Sequence, residues 1–443
     1  MAYQLYARRW LVVAAFAMVS FSNNWIWITW SPIATLVAAY WNVPISSVDT
    51  LSGIYMYVYL PGICVAMYLM VDVLGLSRAM WIASAMNATG AIIRFFGMSS
   101  YRWVFFGTLL NAVTQTFTLA APSFLAAKWF GAHESATATA IGVLSNQFGG
   151  AVGLGSTILV NFTNPNGSLN LRALELLLFV QMAVAVGGFV TMVSFLRTDN
   201  PPTPPNASAA ARLVGKESTV SEETPLQPVE DDAAVQDKIN DGDADPSFWQ
   251  SLKLAVRHGL VFALVFGVTV GTFYSIPPFI SQFVPTWTRQ ESGWLGFSYQ
   301  MTGVIGSFII GRVVDRFQNH SIMSRTLLAL SLVFLGGFWI IHGTNTSPWL
   351  VFATMMGTGF SLAASSSLGY ELGASITYPA NEATVGALFQ VVTNLFSSLC
   401  IATGSWISAG SSFIGVMWGG LAVALLLLLS IPTESNRPKD PTS

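Results

Sequence analysis

What constrains this chain most is a succession of long apolar runs almost free of charge, each able to thread a bilayer and poorly suited to water. A hydrocarbon core of about 30 Å takes about 20 apolar residues per helix. Cutting the 443 residues by length and charge yields twelve such runs: 10–38, 48–71, 78–98, 102–127, 135–161 and 172–196, then 255–285, 292–315, 322–342, 347–370, 383–408 and 411–432. Composition agrees, with 53% hydrophobic residues against 9% charged and a mean hydropathy of +0.57. The expectation is an all-α membrane protein with twelve transmembrane helices, the lipid bilayer being its first partner.

The charge that remains is concentrated. Of 21 acidic residues, eleven lie between Asp199 and Asp245, behind the prolines at 201, 202, 204 and 205. Such a stretch buries too little apolar surface to offset its ordering entropy, so residues 197–252 read as a disordered acidic linker. It divides the chain into a six-helix half over 1–196 and a second over 253–433, with a tail at 434–443. A net charge of -2 leaves no basic surface for nucleic acid. Two cysteines in apolar runs and four scattered histidines have no ligand spacing, so neither a metal nor another cofactor is expected. The sequence lacks GxSxG, Walker A and HExxH patterns, and an enzyme is not expected.

Lys and Arg in short loops stay preferentially in the cytoplasm. With both termini inside, Arg8, Arg9, Arg78, Lys128, Arg312, Arg316, Arg325, Arg437 and Lys439 are cytoplasmic, and the sequons at Asn166 and Asn345 fall outside. Asn206 would go unused in the linker. No cleavable signal is apparent, because Arg8-Arg9 runs into an apolar stretch too long for one. The plasma membrane is the default location.

Polar groups at membrane depth are costly and usually face a cavity or the bundle interior. In the first span Ser20, Asn23, Trp27 and Trp30 share a face within about 80° at 100° per residue, with Trp25 roughly opposite. Asn111, Gln115, Thr118 and Pro122 share one in the fourth, Asn146-Gln147 lie in the fifth, and Thr272, Tyr274 and Ser275 precede Pro277-Pro278 in the seventh. Gln390 and Asn394 stand one turn apart in the eleventh. As a set these read as a polar path, with Trp27, Tyr274, Asn23, Gln115, Gln147, Asn394 and Trp30 as substrate-binding candidates. Spans 1, 4, 5, 7 and 11 carry no carboxylate in their middle thirds, which points to a facilitator rather than a proton symporter. Aromatic faces and amides suit a weakly hydrated cation.

A short signature recurs at equivalent places: Asp72-x-x-Gly75-Leu76-x-Arg78 after the second span and Gly311-x-x-x-Asp315-Arg316 after the eighth. It resembles the loop signature of the major facilitator superfamily, which implies two six-helix halves, a central site, rocking between access states, and a gating role for Asp72, Gly75, Arg78, Gly311, Asp315 and Arg316. More specifically, Ser22-Asn23-x-x-x-Trp27-Ile28, Leu69-x-x-Asp72, Trp129-Phe130-Gly131, Asn146-Gln147-x-Gly149, Phe273-Tyr274-Ser275 and Ile376-Thr377-Tyr378-Pro379-x-x-Glu382 occur in order. Together they resemble the transporters related to the feline leukaemia virus subgroup C receptor.

That resemblance implies choline or ethanolamine transport, haem transport as the alternative and, from a more distant branch, a pyridoxine-like vitamin. It matches Trp27 and Tyr274 to the aromatics that enclose the choline ammonium, Gln147 to a site glutamine, and Asn394 to a position held by glutamine. Asn24-Trp25-Ile26, Thr29-Trp30 and Ser375 depart from the pattern. The run 136–141 and Gly293-Trp294 look more like the vitamin-transporting branch. A non-transporting receptor is the reading from another class. A small-molecule substrate and a monomer are what the architecture implies.

Overall fold

The computed structural model describes residues 6–203, 248–317, 320–342, 347–377, 380, 382–407 and 410–430. Twelve long helices account for most of them: α1 Arg8–Ile28, α2 Ile45–Tyr68, α3 Gly75–Phe96, α4 Tyr101–Trp129, α5 Ala132–Leu154, α6 Leu171–Phe195, α7 Phe248–Ser275, α8 Arg289–Phe317, α9 His320–Ile341, α10 Pro348–Ile376, α11 Glu382–Ile407 and α12 Ser411–Ser430. Each overlaps one apolar run of the sequence. Among the described residues, eight of the spans are long and apolar enough to cross a membrane. The rest, α3, α5, α8 and α10, are diluted by Gly, Ser, Thr, Asn and Gln, residues that pack against neighbouring helices. Lipid-facing surface is correspondingly apolar, with Phe96 76% and Trp349 82% exposed, both near one end of the bundle, where aromatic rings favour the membrane interface.

Most of the expected linker and the whole tail lie outside the described residues, as do Asn206 and Asn345. The linker's expected ends need correction. Helix α7 begins at Phe248, so 248–252 are helical. Asp199 accepts hydrogen bonds from the Ser77 backbone N–H at 2.6 Å and the Ser77 hydroxyl at 2.5 Å. A carboxylate there suits the open N–H groups and positive dipole end at the start of α3.

The two halves repeat one packing pattern. In the first, α1 packs on α4, α5 and α6, α4 on α2 and α3, and α3 on α6; in the second, α7 packs on α10, α11 and α12, α10 on α8 and α9, and α9 on α12. Two pairs make most of the helix contact between the halves, α2 with α11 and α5 with α8, which are equivalent under the same repeat. Small residues set the closest approaches. A Cβ on Gly149 of α5 would overlap the Phe21 carbonyl of α1, so those two backbones meet without an intervening side chain.

Both spans that open a half are broken alike. After α1 come a 3-10 turn at Ser31–Ile33 and a short helix, Ala34–Trp41. After α7 come a 3-10 turn at Pro277–Phe279 and the short helix Ile280–Phe283. Proline has no N–H to give to the carbonyl four residues back, which ends each long helix. The side of the bundle where α1 starts is termed the near face below, and the side reached by these breaks the far face.

Candidate functional site

The breaks position the aromatic pair. Trp27 lies a turn before Ser31–Ile33 and Tyr274 a turn before Pro277–Phe279, so the repeated architecture carries one ring from each half to the same depth. Their centroids are 6.2 Å apart with planes at 71°. Trp27 is 1% exposed, and its indole N–H donates to the Ser52 carbonyl of α2 at 3.0 Å. The Ser52 hydroxyl donates back to the Trp27 carbonyl at 3.3 Å. This reciprocal pair fixes the indole plane. Tyr274 also meets Phe273, whose ring stacks on Tyr299 at 5.3 Å, and the Tyr299 hydroxyl donates to the Phe273 carbonyl at 3.0 Å. Inclined at 71°, the two rings meet edge to face and make a corner of aromatic surface shared by the two halves.

The other sequence candidates divide. Gln115 and Gln147 are buried with side-chain carbonyl oxygens that have no partner among the described residues, as is Gln390. Asn394 donates to the Gln390 backbone carbonyl at 2.8 Å. These amides come from α4, α5 and α11. Asn23 and Trp30 are drawn elsewhere. Asn23 donates to the Asn87 side-chain oxygen at 3.0 Å and the Asn111 carbonyl at 2.8 Å, and Asn111 donates to Asn87 in turn. This triad ties α1, α3 and α4 together. Trp30 packs edge-on against Trp41 at 5.2 Å and under the Arg94 guanidinium at 4.9 Å. Trp25 packs on α5, with its carbonyl and ring against Gly153.

Several residues were not found in the sequence. Tyr59 of α2 and Tyr370 of α10 lie within electrostatic reach of Tyr274 and of each other, bringing phenols from both halves around the pair. Their signal was the tyrosine-rich run in the second span and an aromatic in the tenth. Arg94, in the last turn of α3, is 1% exposed and fully inside the first half. Asp49 in the first turns of α2 is buried and hydrogen bonds with Gln282 of the other half. Gln300 of α8 was not singled out either.

Hydrogen bonds across the halves gather at the far face. The Ser31 hydroxyl donates to the carbonyls of Pro277 and Pro278 at 2.9 and 3.0 Å. Arg289 donates to Thr163 at 3.1 Å and Thr35 at 3.2 Å, while its carbonyl accepts from Thr157 at 3.1 Å. Ser31, Pro32, Leu154, Ile280, Ser281 and Ser292 enclose a void of only about 10 Å³ there. The far face is therefore closed just beyond the aromatic corner.

At the near face the gating candidates are partly described. Gly75 has φ +77, in the left-handed region that favours glycine, and a Cβ there would overlap the Asp199 carboxylate. Arg78 is exposed, and Gly311 has nothing within 4 Å of where a Cβ would stand. The side chains of Asp72, Asp315 and Arg316 lie outside the described residues. Nearby, Arg9 of α1 grips Glu134 of α5 through two bonds of 2.8 and 2.9 Å, which holds the Glu134 carboxyl below its usual range.

Known proteins bear on this arrangement in three ways. The crystal structure of a D-xylose-proton symporter superposes with a TM-score of 0.67 over 96% of this chain and 98% of that one, at 13% identity, a likeness of fold alone. Among relatives, an uncharacterized MFS-type transporter of Caenorhabditis elegans is 28% identical over 401 residues, 89% of this chain; the chain spans 63% of that relative's length. The choline/ethanolamine transporter flvcr2b of Danio rerio is 28% identical, covering 96% of this chain and 83% of the relative. The choline/ethanolamine transporter FLVCR1 of Felis catus is 29% identical, covering 96% and 73%. The resemblance read from the ordered motifs is borne out by these relatives. The family model described as Major Facilitator Superfamily matches residues 11–399, so the motifs, the repeated halves and the broken first and seventh spans have one explanation: the chain belongs to the Major Facilitator Superfamily.

Proposed function

We propose that this protein is an alternating-access facilitator of a small organic cation of the choline or ethanolamine type. The observation that carries the reading is the Trp27–Tyr274 corner, one ring from each half, at 6.2 Å and 71° beneath the far gate. Two π faces attract a poorly hydrated ammonium, at about 0.5–2 kcal/mol for each ring. A ligand that touches both halves couples its own binding to their relative motion. Relatives named as choline/ethanolamine transporters support the same substrate class, and their names do not favour haem.

Gln115, Gln147 and Gln390 supply amides for a substrate hydroxyl. The middle thirds of spans 1, 4, 5, 7 and 11 hold no carboxylate, which supports passive transport over proton coupling. The near face carries Arg8, Arg9 and Arg78 and is assigned to the cytoplasm, the far face with Asn166 to the outside, the plasma membrane being the proposed site and a monomer the working unit.

The test is uptake of radiolabelled choline into proteoliposomes with no imposed pH or sodium gradient. Saturable flux, competed by ethanolamine and unchanged when a proton gradient is added, is the expected result. Absence of flux from folded protein, or flux only with a gradient, refutes the substrate or the mechanism respectively.

A further inference from the structure

Helices α5 and α8 come from opposite halves and meet toward the far face, and Gly150 of α5 faces two amides there. A Cβ on Gly150 would stand 2.8 Å from Asn24 Nδ2 and 3.2 Å from Gln300 Nε2. Asn24 gives its N–H to the Asn146 carbonyl at 2.7 Å, a bond inside the first half. Gln300 has no such outlet. It is 1% exposed, and neither its Nε2 nor its Oε1 has a partner among the described residues.

A primary amide desolvated at both ends disfavours whatever packing encloses it. Here part of the enclosing surface belongs to the other half. Gln300 stands on α8 with its Nε2 against Gly150 of α5, so docking of the halves helps to bury it. That docking also seals the far face through Ser31, Arg289 and Thr157. Parting α5 from α8 would open the amide to water. Tyr299, its chain neighbour, is held to the Phe273 carbonyl at 3.0 Å, which ties the backbone carrying Gln300 to α7 beside the aromatic site.

We infer that Gln300 is a positioning residue that opposes closure of the far face: its unpaired amide raises the free energy of the far-closed state and so keeps that state from becoming a resting trap. The cross-half hydrogen bonds favour closure and Gln300 counteracts them, bringing the two access states nearer to balance. A carrier in which either state dominates turns over slowly, because each cycle must visit both. The inference rests on the alternating-access part of the proposed function, not on its substrate.

The experiment measures opening directly and needs no substrate. In full-length protein bearing Cys64→Ser and Cys400→Ala, Ser292→Cys puts a thiol in the closed far crevice, where Ser292 is buried beside Ser31 and Leu154. The rate of maleimide labelling in detergent then reports the far-open fraction. Adding Gln300→Met keeps the length of the side chain and removes both polar ends. Labelling is expected to slow by about fivefold or more, the factor set by relieving one unmatched buried polar group, with a higher melting temperature. Gln300→Leu serves if the methionine variant does not fold. Labelling that is unchanged or faster in a folded variant overturns the inference. Slowed labelling in a protein that carries no choline would keep it and remove only the substrate.

Discussion

If recognition lies in ring faces, the two aromatics should respond to substitution in a specific order. Removing the Tyr274 hydroxyl by Tyr274→Phe leaves the face and the 71° corner with Trp27 in place, so the KM for choline should stay within about twofold, because the cation–π attraction belongs to the ring. Tyr274→Ala deletes the face. A half-buried ring contributes about 1–2 kcal/mol to holding a cation, and at 1.4 kcal/mol per decade KM should rise about 5- to 30-fold. Trp27→Phe separates two roles in another way: it keeps a face but removes the indole N–H that the Ser52 carbonyl accepts at 3.0 Å. Its cost should fall on stability, about 0.5–1.5 kcal/mol for one lost hydrogen bond, more than on KM. The assay is concentration-dependent uptake of tritiated choline into proteoliposomes, paired with thermal melts of each purified variant. A folded Tyr274→Ala protein with wild-type KM refutes the reasoning. So does a Tyr274→Phe protein as impaired as Tyr274→Ala, since the hydroxyl and not the face would then be the ligand.

Two further outcomes follow from packing and charge. Gly149→Ala sets a Cβ against the Phe21 carbonyl and must push α1 from α5, at a cost of about 1–3 kcal/mol, whereas Gly419→Ala has nothing within 4 Å and should be neutral or stabilising by up to about 1 kcal/mol; thermal melts that rank the pair the other way refute the close-approach argument. The Arg9–Glu134 pair lowers the folded pKa of Glu134 below its ordinary 4.5, so its stabilisation is complete above that value and is lost as pH falls through the lower, folded one. The melting-temperature gap between wild type and Glu134→Gln should therefore close on acidification below pH 4.5, and a gap that widens there contradicts the sign.

The twelve helices were legible because burial in lipid writes itself into long apolar runs, and their ends were found to within a few residues for most. One exception is instructive: α7 starts at Phe248, where polar and charged residues before Ala255 mask the first turns of the helix. The pairing of Trp27 with Tyr274 was legible only from a resemblance. Face arithmetic on α1 went less far, because a helix inside a bundle has no single inner face. Asn23 and Trp27 lie on one stripe, yet the stripe meets α3 and α4 at one height and α2 and α7 at another, so Asn23 joins Asn87 and Asn111 while Trp27 joins Ser52 and Tyr274. Periodicity does not report which neighbour stands at which height. The same limit hid Gln300 and Arg94, whose burial is decided by helices far away in sequence.

The latch at Ser31 has a consequence for how this gate can be broken. Its donor is a side chain, but its acceptors are the main-chain carbonyls of Pro277 and Pro278. Every residue type has a carbonyl, so the accepting half of the bond does not depend on which side chain occupies either position, provided the chain still bends there. A genetic screen for carriers with a leaky far gate should thus be lopsided. Single changes at Ser31 would be recovered readily, while on the α7 side only substitutions that let the helix run straight through the bend would be found, and these would cripple the site along with the gate.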